Sequence, residues 1–146
     1  MTLIDDARAR IARALTSTSY AVLATEGAGQ PHASFMAYAA LDDARRLVFA
    51  TYRDTRKYNN MTRNPRVALL VDCREQEGGR LAVTAIGHAR ELTGAERVSA
   101  VEAFRTTHPD FGDFLDSPES ALFMVEVDWY ESAAGVDQVE WWRIDD

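Results

Sequence analysis

Two adjacent cations, Arg56 and Lys57, begin a predicted helix over residues 56–64. The first turn of a helix is its positive end, because its backbone N–H groups lack intrahelical partners, and it normally attracts Asp or Glu. Two cations there contradict the local rule, and such conflicts are typical of functional positions. An anion bound at the helix start would resolve the conflict, and phosphate is the usual anion at such sites. The charge placement therefore predicts a phosphate-binding site.

Two threonines flank this basic turn. Thr51 ends the preceding predicted strand, where its hydroxyl can donate to a phosphate oxygen, and Thr55 is the expected N-cap of the helix. Arg56 offers planar, bidentate donors and Lys57 a compact point charge, so the two cations complement one another. The alternative without a ligand is a solvated basic turn whose cations pair with Asp54 or another nearby carboxylate.

The hydrophobic pattern predicts the strands that position this turn. Apolar runs and alternations predict strands at residues 20–25, 31–40, 46–51, 66–73, 80–92, 121–130 and 136–144. Short connections favour antiparallel pairing, and closure into a barrel removes exposed edges. We therefore expect a mainly β fold, an antiparallel barrel with helices packed at its ends, that forms a single domain over residues 1–146.

Two further helices are predicted from periodicity and capping signals. The first spans residues 3–15, with Thr2 as N-cap and an apolar stripe of Ile4, Ala7, Ile11, Ala14 and Leu15. The second follows a capping box from Thr93 to Glu96 and ends before Pro109. Its expected apolar stripe consists of Ala95, Val98, Val101 and Phe104.

Composition excludes several classes of protein. Sixteen basic and twenty-three acidic residues give a net charge of -7, which argues against a general nucleic-acid binder. No stretch is apolar enough to span a bilayer, and the first residues lack the apolar core of a signal peptide, so we expect a cytoplasmic protein. The single cysteine, Cys73, excludes an intrachain disulfide and is expected to be buried. Three scattered histidines, His32, His88 and His108, predict no metal site.

The segment over residues 47–70 resembles the FMN phosphate-binding segment of the pyridoxamine 5'-phosphate oxidase-like family, the FMN-binding split barrels. The shared pattern is F-x-T, then T-R-K, then N-P-R-V-x-L-L. The resemblance extends over most of the chain through G-Q-P-H at Gly29, I-G-H-A at Ile86 and the pair His108-Pro109. It implies a six-stranded antiparallel split barrel that forms homodimers with two flavins at the subunit interface.

The resemblance also implies which residues contact the flavin. The arginine–lysine pair that binds the FMN phosphate corresponds to Arg56 and Lys57, and the preceding strand pair corresponds to Ala50 and Thr51. The second strand, which contacts the flavin largely through main-chain groups, corresponds to Ser34, Phe35, Met36 and Ala37. Trp141 is the residue that we expect to reach the partner's flavin. Trp129, Tyr130, Trp141 and Trp142 fit either an interface or a core.

The sequence departs from this family at three places. Ser34 stands where the pyridoxamine oxidases have an arginine, and Ala82 stands where a flavin-contacting glutamine is expected. The segment over residues 135–144 has no histidine and a single arginine, whereas the pyridoxamine oxidases close on their substrate phosphate with both residue types. An acidic, aromatic tail is a poor receptor for a second phosphate, so we do not expect vitamin B6 oxidation.

The expected function is that of an FMN-dependent oxidoreductase acting on a small organic substrate. A flavin supplies the redox chemistry itself, so the lack of a visible acid–base pair does not count against an enzyme. One alternative is a reductase that uses the deazaflavin F420 on the same fold, although an acidic chain suits its long anionic tail poorly. Another is a non-enzymatic flavin- or haem-binding carrier or redox sensor.

Overall fold

The computed structural model describes residues 3–74, 79–136 and 138–144, with side chains from residue 6 onward and without that of residue 74. In chain order the helices and strands are α1 (Leu3–Ser17), β1 (Tyr20–Gly27), β2 (Gln30–Ala37), β3 (Ala39–Leu41), β4 (Arg46–Tyr52), α2 (Arg56–Arg63), β5 (Arg66–Arg74), β6 (Arg80–Glu91), α3 (Gly94–Thr107), a 3₁₀ segment (Pro109–Asp116), β7 (Ser120–Ala133) and β8 (Val139–Arg143). The predicted N-cap Thr2 and the side chain of the stripe residue Ile4 lie outside what the structure describes.

The eight strands of the described residues belong to one antiparallel sheet in the order β2-β1-β5-β6-β7-β4-β3, with β8 paired to β7. The strands at the two ends of this order, β2 and β3, are consecutive in the chain and are separated only by Tyr38. The sheet therefore curls until its two edges meet, which is the mainly β split barrel that the sequence predicts. The ladders differ in length. β1 pairs with β5 over three residue pairs, whereas β5 pairs with β6 over nine.

The six strands that the resemblance implies are too few, since the described residues form eight. The predicted strand over residues 31–40 divides at Tyr38, because β2 pairs with β1 whereas β3 pairs with β4. Tyr38 is held at this corner by its hydroxyl, which donates to Leu15 O and lies 2.7 Å from Thr18 Oγ1 beneath α1. β8 adds a further strand on the outside of β7.

The barrel interior forms the main core, and α1 covers one end of it. Ala7, Ile11, Ala14 and Leu15 of α1 are buried, as the predicted stripe requires. Trp142 is 2% exposed and stacks on the buried Tyr130 with ring centroids 5.4 Å apart. Trp141, its neighbour on β8, is 53% exposed. The C-terminal aromatic residues therefore divide between the core and the surface.

A second core lies between the outer face of the sheet and α3. Val48, Leu92, Phe104 and Leu122 are buried there, together with Leu115 of the 3₁₀ segment. The predicted stripe of α3 is confirmed at Phe104, which is buried, and is wrong at Ala95 and Val98, which are exposed. The helix packs through Ala100 together with Phe104.

The predicted capping box at the start of α3 is also wrong. Thr93 occupies the N-cap position, but its side chain makes no capping hydrogen bond. The Glu96 carboxylate binds the Arg90 guanidinium through two hydrogen bonds of 2.7 and 2.9 Å. A bidentate, charge-assisted pair is stronger than a bond to a neutral backbone N–H, so Glu96 is not available to cap the helix.

Gly87 is required by an irregularity in the sheet. The pairing of β6 with β7 shifts register between Ile86 and Gly87. A Cβ at position 87 would overlap the backbone carbonyl oxygen of Glu126. The I-G-H-A motif therefore marks a β-bulge, at which only glycine allows the two strands to approach this closely.

Cys73 is buried at the end of β5, as expected, and its burial raises the pKa of the thiol. Within the described ranges, no helix combines the length and the hydropathy needed to cross a membrane.

Candidate functional site

The helix predicted to bind an anion is α2, and its start has the predicted capping geometry. Thr55 has extended backbone angles of φ -97° and ψ 159°, and its Oγ1 accepts a hydrogen bond from the Tyr58 N–H at 3.3 Å. Arg56 is the first helical residue. The helix ends at Arg63, where Asn64 leaves the helical conformation one residue before Pro65, which disfavours helix at that position.

Neither cation at the start of α2 is neutralised. The first turn contains no acidic residue. Among the ion pairs and hydrogen bonds of the described residues, none involves the side chain of Arg56 or Lys57, so the predicted alternative pair with Asp54 is absent there. Arg56 is exposed and Lys57 is half-buried, and this burial lowers the pKa of the Lys57 ammonium. The turn therefore holds two positive charges next to the positive end of a helix without an anion to balance them.

Arg53 holds the turn that precedes the helix. Its Nη1 donates to Glu91 Oε2 on β6 at 2.6 Å, and its backbone N–H donates to Glu119 O at 2.8 Å. The Tyr58 hydroxyl donates to the other Glu91 oxygen at 3.0 Å, so Glu91 ties the turn to the first turn of α2. The hydrogen bond that Arg53 donates to Glu91 raises the pKa of Arg53. This pair was not predicted from the sequence, because Arg53 and Glu91 are 38 positions apart.

Thr51 links the end of β4 to the helix cap. It is 3% exposed, and its hydroxyl lies 2.9 Å from the Thr55 hydroxyl. Ala50, the residue before it, is half-buried against the second core. The structure thus brings Ala50 and Thr51 next to the basic turn along the chain, with the Thr51 hydroxyl already bonded to Thr55.

α2 is fixed on β1 by a buried polar contact. The Asn60 side-chain amide donates to Thr25 Oγ1 at 3.0 Å. A Cβ at Gly27 would overlap Asn60 Oδ1, so any other residue there would displace the Asn60 amide from its contact with Thr25. Lys57 lies one turn before Asn60 and Met61, on the same face of the helix. Lys57 is therefore directed towards the inner side of α2, next to β1.

The predicted flavin-contacting strand is β2, and its two faces differ as the alternation predicts. His32, Ser34 and Met36 share the inner face, and Met36 is buried in the barrel core. Phe35 on the outer face is 72% exposed and stacks on Tyr20 with ring centroids 5.5 Å apart. Ala37 is buried in the second core. Met36 and Ala37 therefore offer a ligand mainly their backbone groups.

Two polar atoms on the inner face of β2 have no partner. His32 Nδ1 and Ser34 Oγ are buried, and neither makes a hydrogen bond with any described residue. The other two histidines are engaged elsewhere: His88 Nδ1 lies 3.0 Å from Asp128, and His108 Nε2 lies 2.7 Å from Tyr38 O.

Trp141 lies apart from this group within one chain. β8 pairs with β7, with Trp141 opposite Glu131, and packs against α1. A contact between Trp141 and a ligand at α2 thus requires a second copy of the chain.

A cavity of about 370 Å³ lies at the other end of β1, away from α2. It is lined by Ser19, Tyr20, Thr107, His108, Pro109, Asp110 and Phe111. None of the predicted site residues lines it.

Comparisons with known proteins identify the family and the fold. The family model for pyridoxamine 5'-phosphate oxidase matches residues 7–131. Among curated proteins, none matches the sequence significantly.

Several solved structures share the fold. A heme binding protein from Mycobacterium smegmatis has a TM-score of 0.82 at 21% identity, over 93% of this chain and 57% of that one. A FAD-binding protein from Mesorhizobium loti has a TM-score of 0.70 at 23% identity, over 84% of this chain and 89% of that one. The third is a protein from Clostridium acetobutylicum that is related to general stress protein 26, of the pyridoxinephosphate oxidase family. It has a TM-score of 0.74 at 15% identity, over 97% of this chain and 96% of that one. Identities this low show the fold alone.

Proposed function

The chain belongs to the pyridoxamine 5'-phosphate oxidase family, and from this premise we propose that it is an FMN-binding oxidoreductase, which moves a hydride or electrons to or from a small organic substrate. The observation that supports the proposal most strongly is the start of α2. There, exposed Arg56 and half-buried Lys57 have no anionic partner within the described part of the chain.

The phosphate of FMN suits this turn in charge and in geometry. A phosphate monoester carries between one and two negative charges near neutral pH and accepts several hydrogen bonds. The Arg56 guanidinium and the Lys57 ammonium would hold it, together with the free N–H groups at the helix start. A phosphate beside Lys57 would favour the charged ammonium and so offset the desolvation that lowers the pKa of Lys57.

The rest of the cofactor would lie along β2 and the end of β4. Its proposed contacts are Ser34, Phe35, Met36, Ala37, Ala50 and Thr51. Bound FMN supplies the hydride and electron chemistry, and the protein binds, orients and shields it.

The functional unit that we propose is a homodimer with the flavin at the subunit interface. Phe35, Tyr20 and Trp141 are large aromatic residues that are 72%, 50% and 53% exposed. Exposed aromatic residues of this size are typical of interfaces. In the dimer, Trp141 would reach the partner's flavin.

Vitamin B6 oxidation is not part of the proposal. β8 is short and carries Glu140, Trp141 and Trp142 before its single arginine, Arg143. Arg143 lies over the Trp129 ring, with its guanidinium carbon 5.9 Å from the ring centroid. The described part of the tail thus offers little to bind a substrate phosphate.

Haem binding without catalysis is the second candidate, since a protein of the same fold is a heme binding protein. An F420-dependent reductase is the third, although the net charge of -7 suits the anionic tail of F420 less well than it suits the compact phosphate of FMN.

The decisive experiment is a visible absorption spectrum of the purified protein with and without added FMN, with mass analysis of any species released by heat. Arg56→Ala and Lys57→Ala should each weaken FMN binding by about 1.5–3 kcal/mol, roughly ten- to a hundredfold in Kd. Arg63→Ala, at the other end of the same helix, is the matched control and should bind FMN like the wild type. Unchanged affinity in both cation variants contradicts the assignment, and a haem or deazaflavin spectrum selects an alternative. Turnover with NAD(P)H well above that of free FMN would exclude a carrier.

A further inference from the structure

β2 places two polar side chains on a face that continues into the barrel core. His32 and Ser34 share this face with Met36, which is 7% exposed. Across the ladder, Ser34 lies opposite Leu23, which is fully buried, and His32 lies opposite Thr25. An imidazole and a hydroxyl therefore occupy positions where the strand pattern otherwise places apolar side chains.

Neither of these polar groups is satisfied within the described residues. His32 Nδ1 and Ser34 Oγ are buried and lack a hydrogen-bond partner there. Buried polar atoms are almost always hydrogen-bonded, since an unpaired one destabilises the fold. Arg97 Nη1 shares this property, but its guanidinium already donates to Leu115 O through Nη2. His32 and Ser34 have no such bond, and their proximity on one face indicates a common missing partner.

The pair lies beside the proposed phosphate turn. Thr25, the cross-strand neighbour of His32, accepts the hydrogen bond from Asn60 of α2. Lys57 lies one turn before Asn60 on the same helix face. The helix that carries the phosphate turn therefore contacts β1 at Thr25, directly across the ladder from His32.

We propose that the side chains of His32 and Ser34 hydrogen-bond the part of the flavin nucleotide that lies beyond its phosphate. This inference rests on the proposed function and adds side-chain contacts to the main-chain contacts expected of β2. A histidine ring nitrogen donates or accepts according to its tautomer, and a serine hydroxyl does both. The pair thus suits the hydroxyl groups of the flavin chain or the carbonyl and N–H groups of the ring.

Riboflavin separates this site from the phosphate site, because it has the same ring and chain but no phosphate. Ser34→Ala and His32→Leu should each weaken the binding of both FMN and riboflavin about two- to tenfold, the value of one neutral hydrogen bond. Lys57→Ala should weaken FMN alone. His32→Asn, which keeps a polar atom near the Nδ1 position, should retain more affinity than His32→Leu.

The melting temperature of the ligand-free protein gives a second readout. Ser34→Ala removes an unpaired buried hydroxyl, so this variant should melt about 2 °C or more above the wild type while binding riboflavin less tightly. Ser19→Ala, in the loop before β1, and His88→Leu, on the outer face of β6, are matched controls that should leave riboflavin affinity unchanged.

Three outcomes overturn the inference. If the wild type binds FMN and both β2 variants bind riboflavin as tightly as it does, this inference fails and the proposed function stands. If the variants weaken self-association without weakening riboflavin binding, the missing partner is the second subunit. If the wild type binds neither flavin, the proposed function fails, and this inference fails with it.

Discussion

The Asn60 amide of α2 and the Thr25 hydroxyl of β1, 35 positions apart in the chain, form a buried 3.0 Å hydrogen bond. This bond attaches the helix that carries Arg56 and Lys57 to the strand that pairs with β2. A second bond, from the Asn64 amide at the end of α2 to Glu26 of the same strand, measures 2.8 Å. Polar contacts therefore hold the two halves of the proposed site together.

Removing only one partner of this contact should be costly. Asn60→Ala leaves the buried Thr25 hydroxyl unpaired, so we expect a loss of about 1–3 kcal/mol in the free energy of unfolding. The double variant Thr25→Val/Asn60→Ala removes both polar groups and should recover part of that loss. Urea unfolding of the two single variants and the double variant measures this coupling, and additive effects would contradict it.

Breaking the pair between Arg53 and Glu91 should affect binding more than stability. Both side chains are partly exposed, at 39% and 23%, so Glu91→Gln should cost less than about 1 kcal/mol of unfolding free energy. Because the pair positions the start of α2, FMN affinity should fall about two- to tenfold. Asp116→Asn, which breaks the exposed Arg105–Asp116 pair, is the control. Equal FMN affinities in the two variants would exclude a positioning role for Glu91.

The two adjacent tryptophans of β8 should respond in opposite ways. Trp142→Ala opens a large cavity against Tyr130 and should cost about 3–5 kcal/mol. Trp141→Ala removes an exposed ring and should change the free energy of unfolding by less than about 1 kcal/mol. If Trp141 contacts the partner's flavin, its removal also changes the fluorescence of bound FMN. Unaltered fluorescence would rule out that contact.

Stability should fall steeply at alkaline pH. Burial raises the pKa of the Tyr38 hydroxyl to about 12, whereas an unfolded tyrosine ionises near pH 10. Below about pH 10 the hydroxyl is neutral in both states, and between about pH 10 and 12 only the unfolded chain loses the proton. Raising the pH through this window therefore favours unfolding, by about 2–3 kcal/mol for this group.

Tyr38→Phe tests this pH dependence through its slope. The variant loses the bond to Leu15 O and starts from lower stability, but its unfolding free energy should fall less steeply above pH 10. Some slope remains, because burial also raises the pKa of Tyr130 and Cys73. Parallel curves for the wild type and the variant would contradict the assignment to Tyr38.

Local sequence rules predicted the parts of the molecule that depend on neighbouring residues. The cap at Thr55 and the position of two cations directly after it follow from spacing within a few residues. The resemblance added the split barrel, but the division of its second strand at Tyr38 depends on contacts with α1.

The features that the sequence did not reveal depend on partners far along the chain. Glu91 binds Arg53 across 38 positions, and Arg90 draws Glu96 away from the predicted capping box. α3 buries Phe104 of the predicted stripe but leaves Val98 exposed, because it packs through Ala100 beside Phe104. Periodicity identifies an amphipathic face, but the neighbouring elements decide which face is buried.

The unequal ladders of the barrel have a consequence for how a ligand enters. The β1–β2 hairpin is joined to β5 over only three residue pairs, so separating it breaks few interstrand bonds. Such a hairpin can open as one cooperative unit while the longer β5–β6–β7 ladders stay closed. Its backbone amides would then exchange with solvent together and earlier than those of β6. A ligand that contacts both α2 and β2 would hold the β1–β2 hairpin in its closed position and so slow the exchange of its amides.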